Sequence, residues 1–206
     1  MPPLRPTLPR NRYTGPCEPT LAVLHEMHRH HAWHIPYESL DAYRQCPVTQ
    51  DIDTIFDNMV LGRCGGWCYE MNGLLAWALA ELGFAVTRQV GAVQRSLGGD
   101  VAFGNHLVLK VTVDGAVWLA DVGSGDGIAK PLFIRTGRYD ELAGRNHREF
   151  GLARLPDGIW RVTNAVGAIP PDADFRYYSE HDPFVAPLED EALISATSEQ
   201  LQTDPD

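Results

Sequence analysis

Between two apolar stretches, His106 to Val113 and Ala116 to Val122, stands the dipeptide Asp114-Gly115. A two-residue loop of this kind needs left-handed backbone that Asp tolerates and Gly adopts freely, and its twist matches that of paired strands. The dipeptide therefore predicts an antiparallel hairpin with a defined register. Val113 faces Ala116, Val108 faces Asp121 and His106 faces Gly123. Side-chain alternation puts His106, Val108, Asp121 and Gly123 on one face. His106 and Asp121 become diagonal neighbours within bonding reach, and Gly123 is expected to leave the space opposite His106 open. A carboxylate beside an imidazole fixes its tautomer and favours its cation, the orienting role in a catalytic triad. A structural His–Asp pair at a sheet end is the other reading.

Upstream of the hairpin the periodicity is helical. Leu21, Leu24 and Met27 mark a weak helix over Leu21 to His31. Ile52, Ile55, Phe56 and Met59 mark a second over Asp51 to Val60, with Asp51 or Thr49 as cap. Met71, Leu74, Leu75, Ala78, Leu79 and Leu82 form the clearest stripe, which Gly83 ends. Strand candidates follow at Ala85 to Val93, in the hairpin, at Leu132 to Ile134 and at Ile159 to Thr163. Helices before strands is the α+β pattern. The expected division is an N-terminal arm (1–20), a helical subdomain (21–84), an antiparallel β subdomain (85–188) and an acidic C-terminal tail (189–206).

With 206 residues, 44% of them hydrophobic and 21% charged, the chain can bury a core without crosslinks. A net charge of −10 argues against non-specific nucleic-acid binding or a membrane-surface role. No apolar run approaches the ~20 residues needed to span a bilayer. No apolar segment of a secretory signal is visible, so a cytoplasmic location is expected. The four cysteines then read as free thiols.

One of those thiols has a special position. Cys68 stands where the Gly-rich turn Gly62-Arg63-Cys64-Gly65-Gly66 meets the strongest helix. Unpaired amides and the dipole at a helix start favour a thiolate, and the glycines let other atoms approach closely. A buried, inert cysteine is the alternative. Cys68, His106 and Asp121 would serve as nucleophile, base and orienter if the helix start meets the hairpin. His25, His28, His30, His31 and His34 suggest a metal cluster, but one helix does not converge all five, so no metal site is expected. Arg135, Arg138, Arg145 and Arg148 form a local basic patch, read as a solvated surface or a phosphate receiver.

The segment Cys64-Gly65-Gly66-Trp67-Cys68-Tyr69-Glu70-Met71-Asn72 resembles the Arg-Gly-Gly-x-Cys-x-Glu-x-Asn motif of arylamine N-acetyltransferases. Asn105-His106-Leu107-Val108-Leu109 is similar to the family's His strand. Asp121-Val122-Gly123-Ser124-Gly125 is similar to its Asp-Val-Gly-Phe-Gly segment, and Pro36-Tyr37-Glu38-Ser39-Leu40 to its Pro-Phe-Glu-Asn-Leu signature. The four motifs occur in the same order. The resemblance implies a cysteine-protease-like core and ping-pong transfer of an acyl group from a coenzyme A thioester, through Cys68, to a small-molecule amine. It places Trp67, Gly123, Ser124 and Gly125 at the substrate and gives Arg63, Glu70, Asn72, Pro36 and Glu38 supporting roles. It implies no permanently bound cofactor. It leaves the oligomeric state open.

The sequence also departs from the family pattern. Cys64 replaces the motif's Arg, so Arg63 is expected to take over its anchoring role; for Cys64 a purely structural place is the favoured reading and a reversible disulfide with Cys68 the alternative. Ser124 replaces an aromatic ring that lines the acceptor pocket, which predicts a wider pocket poorly suited to small arylamines. Typical relatives continue beyond the position of Asp206 into a lid domain, expected here to be missing or reduced. The alternatives are an amide synthase using a bulky or acyl-carrier-protein-bound acyl group, a hydrolase, and a non-catalytic binding module.

Overall fold

The computed structural model describes residues 10–44, 46, 49–125, 127–143, 146–166 and 178–187. The expected arm as far as Pro9, Arg145 of the basic patch, and the acidic tail lie outside the described residues. The remaining chain has the expected order, helices first and antiparallel strands after.

Helix α1 spans Leu21–His34, with the Thr20 side chain accepting the Val23 amide at its start. It runs three residues past the expected His31. Its end is set by Pro36, whose ring disfavours helical backbone at the residue before it; Ile35 is accordingly extended. The buried face holds Leu24, Met27, His28 and His31, so two of the five histidines belong to the core. A short helix, α2 (Leu40–Tyr43), follows. Then comes α3 (Ile52–Phe56), capped by Asp51 through the Thr54 amide at 2.9 Å, continuing as a π-helical turn over Asp57–Leu61.

Helix α4, Cys68–Glu81, differs from expectation. An amphipathic stripe was predicted, yet every residue from Cys68 to Leu79 is buried. The helix is central: Leu74, Leu75 and Leu79 share one core with Leu24 and Met27 of α1, Ile55 and Phe56 of α3, and Leu109, Val111 and Ala120 of the sheet. A helix packed on all sides needs apolar or small residues all round, which Gly73, Ala76, Ala78 and Trp77 supply. Gly83, at φ +85°, ends it in left-handed backbone.

Among the described residues the strands form one antiparallel sheet of eight. Strand β1 is Ala85–Val93, β2 His106–Val113, β3 Ala116–Ala120, β4 Leu132–Phe133, β5 Gly137–Ala143, β6 Asn146–Arg154, β7 Trp160–Val166 and β8 Tyr178–Pro187. Their spatial order is β4-β3-β2-β1-β8-β7-β6-β5. The face of the sheet away from the helices curls on itself, packing Val108 of β2, Leu119 of β3 and Leu132 of β4 against Phe150, Leu152 and Val162.

The hairpin has its predicted register from Val113↔Ala116 to Leu109↔Ala120, and Asp114 and Gly115 have φ of 50° and 74°. The ladder then stops, two residues short of the expected Val122. The reason is competition for backbone donors. The amide of Asp121 meets His28 Nε2 at 3.1 Å, that of Val122 donates to Asn72 Oδ1 at 3.0 Å, and that of Gly123 donates to Asp121 Oδ1 at 2.9 Å. Of the three, only the Val122 amide faces β2, because alternate amides of a strand point to each neighbour; Asn72 takes both it and the Leu107 carbonyl opposite, so the next bonded pair cannot form.

Two expectations follow. In Gly115→Ala the added methyl meets nothing within 4 Å, so only the left-handed backbone opposes it. The loss should be about 1 kcal/mol, seen as a lower urea midpoint at unchanged slope. Burial pushes His28 down to about 4 and His31 down to about 3. Their neutral forms support the fold fully above the ordinary histidine value, and that support is lost as pH falls through those lowered values. His31 ring nitrogens have no hydrogen-bond partner among the described residues. His31→Met should keep the melting temperature at neutral pH and remove about 2 kcal/mol of the destabilisation at about pH 5. Melting curves from neutral to mildly acid pH read this directly.

Candidate active site

Cys68 opens α4, where the first-turn amides have no helical carbonyl to bond. The turn before it is strapped to the segment after α1. Gly66 donates to the Pro36 carbonyl at 3.2 Å, and Glu38 donates back to the Gly66 carbonyl at 3.0 Å. A side chain at Gly65 would strike the Pro36 carbonyl and come within 2.6 Å of Glu38 Cγ. The glycine is required by this close approach. The Glu38 carboxylate accepts the Leu40 amide at 2.8 Å.

The anchoring arginine is Arg10, where the sequence pointed to Arg63. Arg63 is exposed and in left-handed backbone at φ 58°. The Arg10 guanidinium instead donates to the carbonyls of His34 at 2.6 Å, Met59 at 2.9 Å, Cys64 at 3.3 Å and Arg63 at 3.4 Å. Four carbonyls from two segments thus share one planar cation with five donors. Cys64 is exposed while Cys68 is buried, and all four cysteines are free thiols.

Glu70 accepts the Trp67 amide at 3.2 Å, reaching back over the start of the helix. Burial pushes its carboxyl up to about 7, aided by Glu38 and Asp41 and opposed by that amide bond. Trp67 does not line an open site. It packs with Tyr69 and Leu107 in a small buried cluster, and the Tyr69 hydroxyl donates to the Gly104 carbonyl.

One turn after Cys68, Asn72 joins three elements. Its Nδ2 donates to the Leu107 carbonyl at 2.6 Å and to Asp121 Oδ1 at 2.9 Å, while its Oδ1 takes the Val122 amide. Gly123 lies against the same turn. A methyl there would sit 2.7 Å from Cys68 Cα and 2.8 Å from the Cys68 carbonyl oxygen. The space expected to be open in front of Gly123 is therefore filled by the backbone of the cysteine itself.

His106 and Asp121 are both buried, with His106 Nε2 2.8 Å from Asp121 Oδ2. The Cys68 thiol also hydrogen-bonds the His106 ring. Burial alone would push His106 down, but the Asp121 carboxylate and then Cys68 outweigh it and raise the imidazole to about 10. That balance favours the cationic form of the ring at neutral pH.

The residue that sequence reasoning missed is His28. Its Nδ1 lies 3.3 Å from the Ala129 carbonyl, and its Nε2 meets the Asp121 amide, so it pins the backbone that carries the carboxylate. Its spacing of four from Leu24 on the apolar face of α1 was the available signal. The other histidines are engaged separately: His30 stacks on His34, and His25 meets Trp118 edge-on. Among the described residues no group of three His, Cys, Asp or Glu could hold a metal ion, and no helix is long and apolar enough to cross a membrane.

A cleft of about 320 Å³ lies on the Ser124 side of the Cys68, His106 and Asp121 cluster, whose own side chains are not among its walls; it is lined by Trp33, Tyr37, Met71, Val122, Ser124 and Gly125 among others. Ser124 links it to the buried groups, donating to Asp121 Oδ2 at 3.1 Å. Arg148, also at the cleft, donates to the Gly127 carbonyl at 3.0 Å and stacks on Phe150. Arg138 pairs with Glu149, and Arg135 lies over Phe133. The described members of the basic patch thus have separate local partners.

Residues 20–164 match the N-acetyltransferase family model. The arylamine N-acetyltransferase of Mycobacterium tuberculosis is 38% identical over 156 residues, which are 73% of this chain and 54% of that protein. Arylamine N-acetyltransferase 1 of Bos taurus is 35% identical over 122 residues, 58% of this chain and 42% of that one. The chain spans about half the length of the curated relatives it matches. Among solved structures, the Nocardia farcinica arylamine N-acetyltransferase superimposes with a TM-score of 0.81 at 30% identity, covering 98% of this chain and 69% of that one. The Mycobacterium marinum enzyme in complex with CoA gives 0.81 at 27% identity, covering 98% and 72%. With the Cys68 turn, the His106 strand and the Asp121 loop all inside the matched region, the chain belongs to the arylamine N-acetyltransferase family.

Proposed function

We propose that this chain is a thioester-dependent N-acyltransferase whose nucleophile is Cys68. The observation that carries the reading is the unbroken hydrogen-bonded line from the Cys68 thiol through His106 to Asp121, at a helix start beside an open cleft. Asp121 holds Nε2, which leaves Nδ1 of the ring for the thiol. The proton moves from sulfur to the ring, giving a thiolate–imidazolium pair.

In the first half-reaction the Cys68 sulfur attacks the carbonyl carbon of an acyl-coenzyme A. First-turn amides of α4 stabilise the oxyanion. The bond from the acyl carbon to the coenzyme sulfur breaks, and the departing thiolate takes the proton from His106. In the second, an amine attacks the acyl carbon, gives a proton to His106 and displaces Cys68, leaving an amide. The acceptor class follows from the cleft and from the names of the relatives. Ser124 supplies no ring, which led the sequence to predict a poor fit for small arylamines, but Trp33 and Tyr37 supply aromatic walls, so a small aromatic amine is the favoured acceptor after all. Acetyl-coenzyme A is the favoured donor. A carrier-protein thioester offers the same carbonyl.

Mixing the protein with acetyl-coenzyme A should add one acetyl group by intact mass, mapped to Cys68, and Cys68→Ala should gain none. Failure of the wild type to acylate would overturn the reading. Addition of an arylamine should then remove the group as amide, whereas removal at the same rate without amine would mark a hydrolase.

Asp121→Asn should slow acylation by about 10²- to 10⁴-fold. The raised histidine also sets a pH dependence. The cation persists below its raised value and is lost above it, so wild-type acylation should hold through neutral pH and fall only towards about 10. In Asp121→Asn the fall should begin at or below the ordinary value of ~6.5.

A further inference from the structure

The Asp121 carboxylate has four acceptor positions, and each is filled. Oδ1 takes Asn72 Nδ2 and the Gly123 amide, both at 2.9 Å; Oδ2 takes His106 Nε2 at 2.8 Å and the Ser124 hydroxyl at 3.1 Å. Three of these donors are buried and sealed from the cleft. Ser124 is partly exposed and lines it. We infer that Ser124 is a positioning residue of the triad: its hydroxyl shares Asp121 Oδ2 with His106 and sets how tightly the Cys68–His106 pair holds its protons. The inference rests on the triad reading above and adds to it a role for a side chain otherwise regarded as pocket wall.

The sign follows from the dipole. The positive end of the Ser124 O–H bond points at the carboxylate, 3.5 Å from His106 Nε2 on the oxygen side. Removing it leaves the buried cluster more negative, so each of its protons is held more tightly. Protonation equilibria of the pair then move to higher pH. Among the other titratable groups near the cluster, Glu70 on the first turn of α4 is pushed up to about 7 and is common to every variant, so it cannot produce a difference between them. His28, from α1, is held down to about 4 and Tyr37, before α2, is pushed up to about 12. Tyr69, beside Cys68 on α4, is also pushed up by burial. Arg148 stands across the cleft on β6, bonded to the Gly127 carbonyl. Asn72 is neutral.

The test is the pH profile of Cys68 alkylation by iodoacetamide, followed by peptide mapping because Cys17, Cys46 and Cys64 are exposed. Ser124→Ala should displace the rising limb of the profile to higher pH by about half a unit to one unit, equivalent to about three- to tenfold slower labelling at a fixed pH on that limb. Ser124→Thr restores a hydroxyl and should return the profile to that of the wild type. Ser124→Val, with the shape of Thr and no hydroxyl, should behave as the Ala variant. A wall residue would change the KM for the amine and leave this profile alone. Superimposable profiles for wild type, Ala and Val would overturn the inference, as would a Thr variant that remains shifted with the others. Alkylation needs no thioester. If the wild type fails to acylate yet the profile shifts and is rescued as described, the transferase reading falls while the role of Ser124 stands.

Discussion

A buried carboxylate, Asp121, organises the structure around it. An ionised carboxylate taken out of water is tolerated only when its lone pairs are met. Here the donors come from α4, from β2 and from the loop that carries Asp121 itself. Satisfying this charge therefore fixes the distance between the central helix and the sheet. It also ends the β2–β3 ladder, because Asn72, which Asp121 holds, takes the Val122 amide and the Leu107 carbonyl that would have formed its next bonded pair. Strand, helix and loop meet where they do because one charge needs all of them.

Cys68 is placed by a second set of bonds with little redundancy. Arg10 gathers four carbonyls, the Pro36–Glu38 segment pairs with Gly66, and Glu70 covers the start of α4. Two glycines are obligatory for steric reasons. Gly65 lies against the Pro36 carbonyl, and Gly123 lies against the backbone of Cys68. These contacts put the sulfur against the His106 ring without any residue of the turn entering the cleft.

Burial acts in opposite directions on neighbouring groups. His28 and His31 lose their charge to desolvation, whereas His106, equally buried, keeps it because Asp121 and Cys68 oppose the penalty. Glu70, also in this region, has only an amide to stabilise its anion, and two acidic neighbours oppose it. The partner, not the depth, decides which histidine carries a proton. That is why a stretch with five histidines contributes one structural pin and no described metal site, while a lone histidine at the start of β2 becomes the cation.

The hairpin and its register were legible in Asp114-Gly115 because a left-handed two-residue turn permits little else, and the His106–Asp121 contact followed from alternation. Cys68 was legible as a helix start, and Asn72 as its neighbour one turn on. Arg10 was not, since an arginine in a proline-rich arm carries no local signal of the four distant carbonyls it will meet. His28 was hidden among other histidines, and Ser124 read as a wall residue because the bend that turns its hydroxyl back to Asp121, three residues away, is held by Asn72 and His28 from distant helices. The amphipathic reading of α4 failed for a related reason. Period and turn chemistry are local properties, so the sequence by itself determined the helices, the hairpin and the residue types able to form a triad. Which buried charges find partners depends on segments far apart in the chain meeting in space, and only the tertiary structure decided that.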